Sequence, residues 1–531
     1  AVAGGSRRDW EVMAGERYYV KLSGTGTNIG LRATNLLGLA GGNLSAFGTD
    51  GNDQFQFDAA GLQPVVVNGV QYQIDGATVK TVSYAGGSGV DSLALLGTAR
   101  SEVADVALDA GTFTGTGLDV SFTGVENVVI NGRGGLDIGR LRDTSNDDVL
   151  EIRPGLALLS GTGYGFRLEE FERILVLGSG EGYDTAALYD SAGNETFSAW
   201  PEVAILEGSG FYFYVERFDL VHANATAGGQ DLARLYDSDG DDTFTASPTL
   251  ARMQGDGYLN RARSFDQVDA YAYGMGSDTA VLSDSAGNDV FVANPDQAEL
   301  SGSGYRNRAV GFDAVSAAAR SGGYDTAALN DSPGDDLFVA TPTETTFSGP
   351  GFSLSTIRFD VVNAYAKAGG NDVAEMYDSA GDDTFVAKSI YSRLLGDGFV
   401  IGAKFFDAVH AYAKNGGIDA ARFYGSAGAD SFIGRSTWSQ MSGNGYFNRE
   451  KFFEDVSVYG DGPGDTAWLF GSEGDDYLYA AGSTARLSYG QRAILAANFP
   501  SVSATSQGGT NYRKILPIDY VLTTYGTWID V

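Results

Sequence analysis

An aspartate that follows a glycine-rich turn returns at Asp91, Asp137, Asp184, Asp231, Asp278, Asp325, Asp372, Asp419 and Asp465, each 46 or 47 residues after the last. A period in this range marks solenoids, propellers and repeat arrays, because one such unit cannot bury its apolar side alone and must stack on its neighbours. Three aromatic columns keep the same step. One is Tyr164, Phe211, Tyr258, Tyr305, Phe352, Phe399 and Tyr446; a second is Phe171, Phe218, Phe265, Phe312, Phe359, Phe406 and Phe453. The third is Phe197, Phe244, Phe291, Phe338, Phe385 and Phe432.

Within a unit, as in FDVVNAYAKAGGNDVAEMYDSAGDDTFVAKSIYSRLLGDGF from Phe359, short alternating or β-branched segments are separated by Gly, Asp, Asn and Ser clusters. That pattern predicts about five or six short strands per unit and no helix of useful length. The sequence therefore predicts an all-β fold, an elongated parallel β-solenoid (β-helix) of about nine 47-residue repeats with terminal caps. If a coil takes three strands and about 23 residues, one repeat supplies two coils and the aromatic columns become interior ladders. A β-propeller is the alternative, although propellers usually close at about four to eight blades. Residues 1–45 read as an N-terminal β cap or the end of a preceding β-sandwich, 46–489 as the solenoid, and 490–531 as a C-terminal cap with a short helix. A cap is needed because a bare solenoid end exposes strand edges.

Glycine accounts for 75 of 531 residues while 43% are hydrophobic, which describes a folded, turn-rich chain. With 68 acidic against 35 basic residues, the net charge of −33 opposes binding to nucleic acid or anionic lipid. No cysteine is present, so disulfides and thiolate metal sites are excluded. No apolar run approaches the roughly 20 residues of a membrane helix. The start, Ala-Val-Ala-Gly-Gly, reads as processed or excised from a longer precursor.

The chemistry that recurs lies in acidic turns such as Asp237-Ser-Asp-Gly-Asp-Asp242 and Asp378-Ser-Ala-Gly-Asp-Asp383. Their first and last acids form two columns, and stacked carboxylates must be relieved by solvent, by backbone N–H donors or by a cation. Asp and Asn cap tight turns through their own backbone, which is one reading. The other is Ca²⁺, a hard ion taking six to eight oxygens, with Asp190, Glu195, Asp237, Asp242, Asp284, Asp289, Asp331, Asp336, Asp378 and Asp383 as candidate ligands.

The segments Gly48-Thr-Asp-Gly-Asn-Asp-Gln-Phe, Gly86-Gly-Ser-Gly-Val-Asp-Ser-Leu-Ala, Gly425-Ser-Ala-Gly-Ala-Asp-Ser-Phe-Ile and Gly471-Ser-Glu-Gly-Asp-Asp-Tyr-Leu-Tyr resemble single copies of the RTX (hemolysin-type) nonapeptide. That family binds Ca²⁺ in parallel β-rolls, so the resemblance implies calcium in these turns. In this chain the two Gly-Asp turns of a unit are 11 residues apart, as from Asp325 to Asp336. The longer unit, DTAxLYDSAGDDTFVA followed by LSGSGYxNRAxxFDxVxAYAxxGG, is similar to repeats of very large exported proteins of planctomycete bacteria. This second resemblance implies an extracellular or cell-surface location and no particular activity.

Catalysis in a repeat scaffold calls for a place where singular polar residues break the pattern. The only histidines, His222 and His410, share one column with Leu175, Asp269, Ser316, Asn363 and Ser457, which reads as a solvent-facing strand position. Arg261, Arg263, Arg308 and Arg358 form a weakly basic stripe that reads as exposed charge partners. The expectation is an extracellular structural or adhesive protein forming a rod, coat or fibre on the cell surface, and not an enzyme. The alternatives are a polysaccharide-active β-helix enzyme or carbohydrate-binding module, and a calcium-dependent exported module. Expected partners are further copies of the chain in an oligomer or filament, a surface polysaccharide or a neighbouring surface protein, with no nucleic acid and no transmembrane segment.

Overall fold

The computed structural model describes residues 16–21, 36–61, 65–75 and 78–531. Most of the proposed N-terminal segment 1–45 lies outside the described residues. Two compact units divide the chain: residues 1–238 with 249–268, and residues 239–248 with 269–531. The described residues are all β, and within each unit the stacked coils pair in parallel as a β-solenoid, about 13 turns in all, not a propeller.

In the second unit, Thr326–Asn330 lies on one sheet and the chain then crosses to the other. There Leu337–Ala340, Glu344–Gly349 and Phe352–Ile357 form an antiparallel meander before Val361–Tyr365 returns to the first sheet. The next repeat begins on the second sheet with Val373–Tyr377. It therefore places its own meander, Thr384–Ala387, Tyr391–Gly396 and Phe399–Lys404, on the first. Each repeat thus holds five strands in three passes, or one and a half turns. Successive repeats exchange faces. The first unit follows the same rule, with the meander of Val149–Glu169 on one sheet and that of Thr196–Glu216 on the other.

This corrects the expectation of two three-stranded coils per repeat. The meander explains the difference: its first strand pairs in parallel with the following coil, as Leu337–Ala340 does with Val373–Tyr377. Its last strand pairs with the preceding one, as Phe352–Ile357 does with Ala314–Ala318. The second hairpin of this meander turns on two residues, Pro350-Gly351, and Gly351 has φ +81°. That left-handed conformation is open to glycine without the clash a Cβ brings.

Inward and outward residues alternate along the strands, and the inward set forms the core between the sheets. The third aromatic column is fully buried, and the other two are nearly so. Their rings interlock between repeats: Phe291 with Phe359, Phe338 with Phe406 and Phe385 with Phe453 lie 6.0–6.1 Å apart. At tilted geometry this spacing suits aromatic pairs. Pairing runs past residue 490, because Arg492–Ala497, Ser501–Thr505 and Tyr512–Ile518 each add in parallel to an earlier strand. Strands stand where a short helix was expected.

Candidate metal centre

The acidic turns line up along the sides of the coils, where the chain crosses between sheets. Each turn uses its carboxylates first on backbone donors. In the first unit, Asp148 Oδ2 accepts from the Thr144 N–H at 2.8 Å, closing its own turn. The Asp148 N–H donates to Asp184 Oδ1 at 2.8 Å, and the Asp184 N–H donates to Asp219 Oδ2 at 2.8 Å. Turn acids are thus linked from coil to coil. The second unit repeats the relay, from the Asp383 N–H to Asp419 Oδ1 and from the Asp419 N–H to Glu454 Oε2, both at 2.8 Å. Charged acceptors on buried N–H groups make strong hydrogen bonds, so turn capping is what these acids do first.

Capping leaves some carboxylate oxygens over. Asp143, Asp148 and Asp184 bring one oxygen each within 4.8 Å of the others, as do Asp190, Glu195 and Asp231 in the first unit and Asp378, Asp383 and Asp419 in the second. Asp143 Oδ2, Asp184 Oδ2, Glu195 Oε2 and Asp383 Oδ1 are buried without a hydrogen-bond partner. A ring substitution accounts for part of this. Tyr164 and Tyr305 donate their hydroxyls to Asp148 and Asp289 at 2.7 and 2.8 Å. Phe211 and Phe399 occupy that column next to Glu195 and Asp383, and have no hydroxyl to give.

Burial raises the affinity of these groups for protons. It pushes Asp143 up to about 7, with the charges of Asp184 and Asp148 adding to the effect and a backbone hydrogen bond from Ser179 opposing it. It likewise pushes Asp231 and Asp419 up to about 6. Asp184 is raised for the same reason.

Of the ten predicted ligands, Asp190 and Glu195 meet in one trio and Asp378 and Asp383 in another. Asp284, Asp289, Asp331 and Asp336 do not join a trio among the described residues. Asp289 and Asp336 use both oxygens, on the N–H and hydroxyl of Ser285 and Ser332. Asp284 and Asp331 accept from the Ser321 and Ala368 N–H groups at 2.8 and 2.7 Å. Asp242 donates its N–H to Asp278 at 2.8 Å, and Asp237, in the first unit, is a half-buried side chain. The third ligand of each trio, Asp184, Asp231 or Asp419, was visible as the periodic aspartate yet absent from the predicted set. Spacing along the chain does not reveal that it comes from the next coil.

The trios fit a hard cation in charge and in donor type, since a divalent ion would satisfy the unpartnered oxygens together. His222 and His410 are half-buried on outward strand positions, beside Arg261 and Arg449 respectively. Burial and those arginines lower both imidazoles. Arg308 reaches Asp269 at 3.6 Å, an ordinary charge pair. No protein-family model matches the chain, and no curated protein matches it.

Proposed function

We propose that this is a structural or adhesive repeat protein of the cell exterior. The observation that supports this reading most directly is the relay of acidic turns: the recurring polar groups bind one coil to the next. Such a design turns added repeats into added surface on a continuous core. Labelling intact producing cells with an antibody to the chain, alongside cell fractionation, tests the placement. Surface label is expected; recovery only from the cytoplasmic fraction would remove the proposal.

A calcium-dependent module is the second reading, favoured by the unpartnered buried oxygens of Glu195 and Asp383 within their trios. Glu195 and Asp383, with Asp190, Asp231, Asp378 and Asp419, would hold the ion and lose their mutual repulsion. Calorimetric titration of chelator-treated protein with Ca²⁺ is expected to show binding that Glu195→Gln and Asp383→Asn weaken. Absence of heat and an unchanged melting temperature would discard this reading while leaving the structural one intact.

A further inference from the structure

Between Tyr365 and Phe470 the outer faces of both sheets carry aromatic rings interleaved with cations. On the first sheet Tyr365 lies beside Lys404, and Lys404 beside Tyr391. Lys404 Nζ stands 4.5 Å from the Tyr365 ring centroid and donates to its hydroxyl at 3.0 Å. Lys388 lies 5.2 Å from the rings of both Tyr391 and Tyr424, and Tyr424 stacks on Tyr459 at 5.1 Å.

Because repeats exchange faces, the next copy of this row appears on the second sheet. Tyr412 lies between Tyr377 and Lys451, and Lys451 lies beside Trp438. Tyr377 and Tyr412 stack at 4.9 Å, with Lys414 over both rings. Arg435 stands 4.2 Å from the Phe470 ring centroid.

The rows are missing from the repeat just before them, although Tyr271 and Tyr236 stand in the same columns two and three repeats back. One repeat earlier, the positions of Tyr365, Tyr377, Lys388, Tyr391 and Lys404 hold Ala318, Asn330, Thr341, Glu344 and Ile357. Those strands pair in the same register with none of the cations, so the sheet does not need them. In a chain with 68 acidic residues, Lys388, Lys404, Lys414, Arg435 and Lys451 take part in no ion pair among the described residues. Their positive charge is held at the surface by rings and left available to an external anion.

We propose that these rows bind an acidic polysaccharide, with the rings against apolar sugar faces and the ammonium and guanidinium groups against its carboxylates or sulfates. Lys404 and Lys388 lie two strands apart, about 10 Å, which suits a polymer bearing sparse acidic groups on alternate sugars. Nucleic acid fits less well, because its duplex carries a charge every ~1.7 Å, far denser than the spacing of the cations in these rows. The rows stand on their own side chains, so the site does not depend on cell-surface placement or on calcium.

The test uses the full chain and three probes: hyaluronate, uncharged dextran and single-stranded DNA, titrated at low salt with chelator present. Hyaluronate binding that weakens with added salt, with dextran and DNA weaker, is expected. The variant carrying Lys388→Gln, Lys404→Gln, Arg435→Gln and Lys451→Gln should retain its β-sheet circular dichroism and bind about tenfold more weakly, as four surface contacts supply. A second variant, Tyr391→Ser with Trp438→Ser, should also weaken binding while keeping the charge. Failure of hyaluronate to bind, binding unchanged in the quadruple variant, or stronger binding to DNA would each overturn the proposal. If self-association of the chain is what the glutamines abolish, the rows serve a second copy and the polysaccharide assignment falls.

Discussion

The backbone N–H of Asp383 donates to Oδ1 of Asp419, 36 residues away in sequence and one coil away in space, at 2.8 Å. One carboxylate oxygen of Asp419 is thereby committed to structure. The group is still surrounded by Asp378, Asp383 and Glu454, whose charges add to the effect of burial.

The first prediction concerns pH. Burial pushes Asp137 and Asp143 up to about 7, and Asp231, Asp372 and Asp419 up to about 6, from an ordinary value of 3.8. A raised carboxylic acid binds its proton more tightly when folded, so its stabilisation is complete below about pH 4 and is lost as pH rises through the folded values. Melting temperature in chelator should therefore fall between about pH 4 and about pH 7. Added Ca²⁺ should flatten the upper part of that decline. A melting temperature that climbs steadily across the window would contradict the sign.

Gly349 makes room for a buried acid. A Cβ there would lie 1.6 Å from Asp336 Oδ1 and 2.7 Å from the Phe352 ring. Gly349→Ala should destabilise the chain by about 3 kcal/mol in denaturant titration. Gly165→Ala, whose nearest neighbour is Asn127 Oδ1 at 3.7 Å, should stay within about 0.5 kcal/mol of the parent.

Glu450 and Arg492 form a buried ion pair in the second unit, Nη2 to Oε1 at 2.5 Å. Arg492 also donates to the Ser439 hydroxyl at 2.9 Å. Earlier repeats place Ala403, Thr356 and Ala309 where Glu450 stands, so this pair is an addition to the repeat plan. Arg492→Leu alone should cost about 3–5 kcal/mol by stranding a buried carboxylate. Combining it with Glu450→Ala should restore much of that loss, as read from paired unfolding curves.

Phe452 sits at φ +74°, in a column of left-handed residues that includes Arg217, Arg358 and Phe405 and that holds Gly311 in one repeat. Its side chain is 46% exposed and so contributes limited packing. Phe452→Gly should raise stability by about 1 kcal/mol, since glycine accepts this conformation without the steric cost. An unchanged or lowered unfolding midpoint would show that the ring's packing outweighs the strain.

Much of the architecture was legible because it is periodic. The Phe197-to-Phe432 column announces the core: a phenylalanine kept every 47 residues on an alternating apolar strand marks a repeated position, and all six are fully buried. The number of turns per repeat was hidden, since Leu337–Ala340 and Glu344–Gly349 read as two ordinary strands whether the chain folds back on one sheet or crosses to the other. The acidic turns were legible as columns, but sequence spacing cannot say that Asp419 completes the turn of Asp383 or that Phe399 leaves an oxygen uncapped. The aromatic and cationic rows were missed for a related reason. Lys404 and Tyr365 are 39 residues apart and meet only when strands from different coils lie side by side.

The odd number of sheet crossings in each repeat gives neighbouring repeats within a unit a two-fold screw relation. Duplicating one repeat would turn whatever follows it by half a revolution about the coil axis, and duplicating two would restore its heading. Copy number in such a chain therefore sets direction as well as length: a feature encoded once per repeat is displayed alternately on opposite sides, and only every second copy faces the same way.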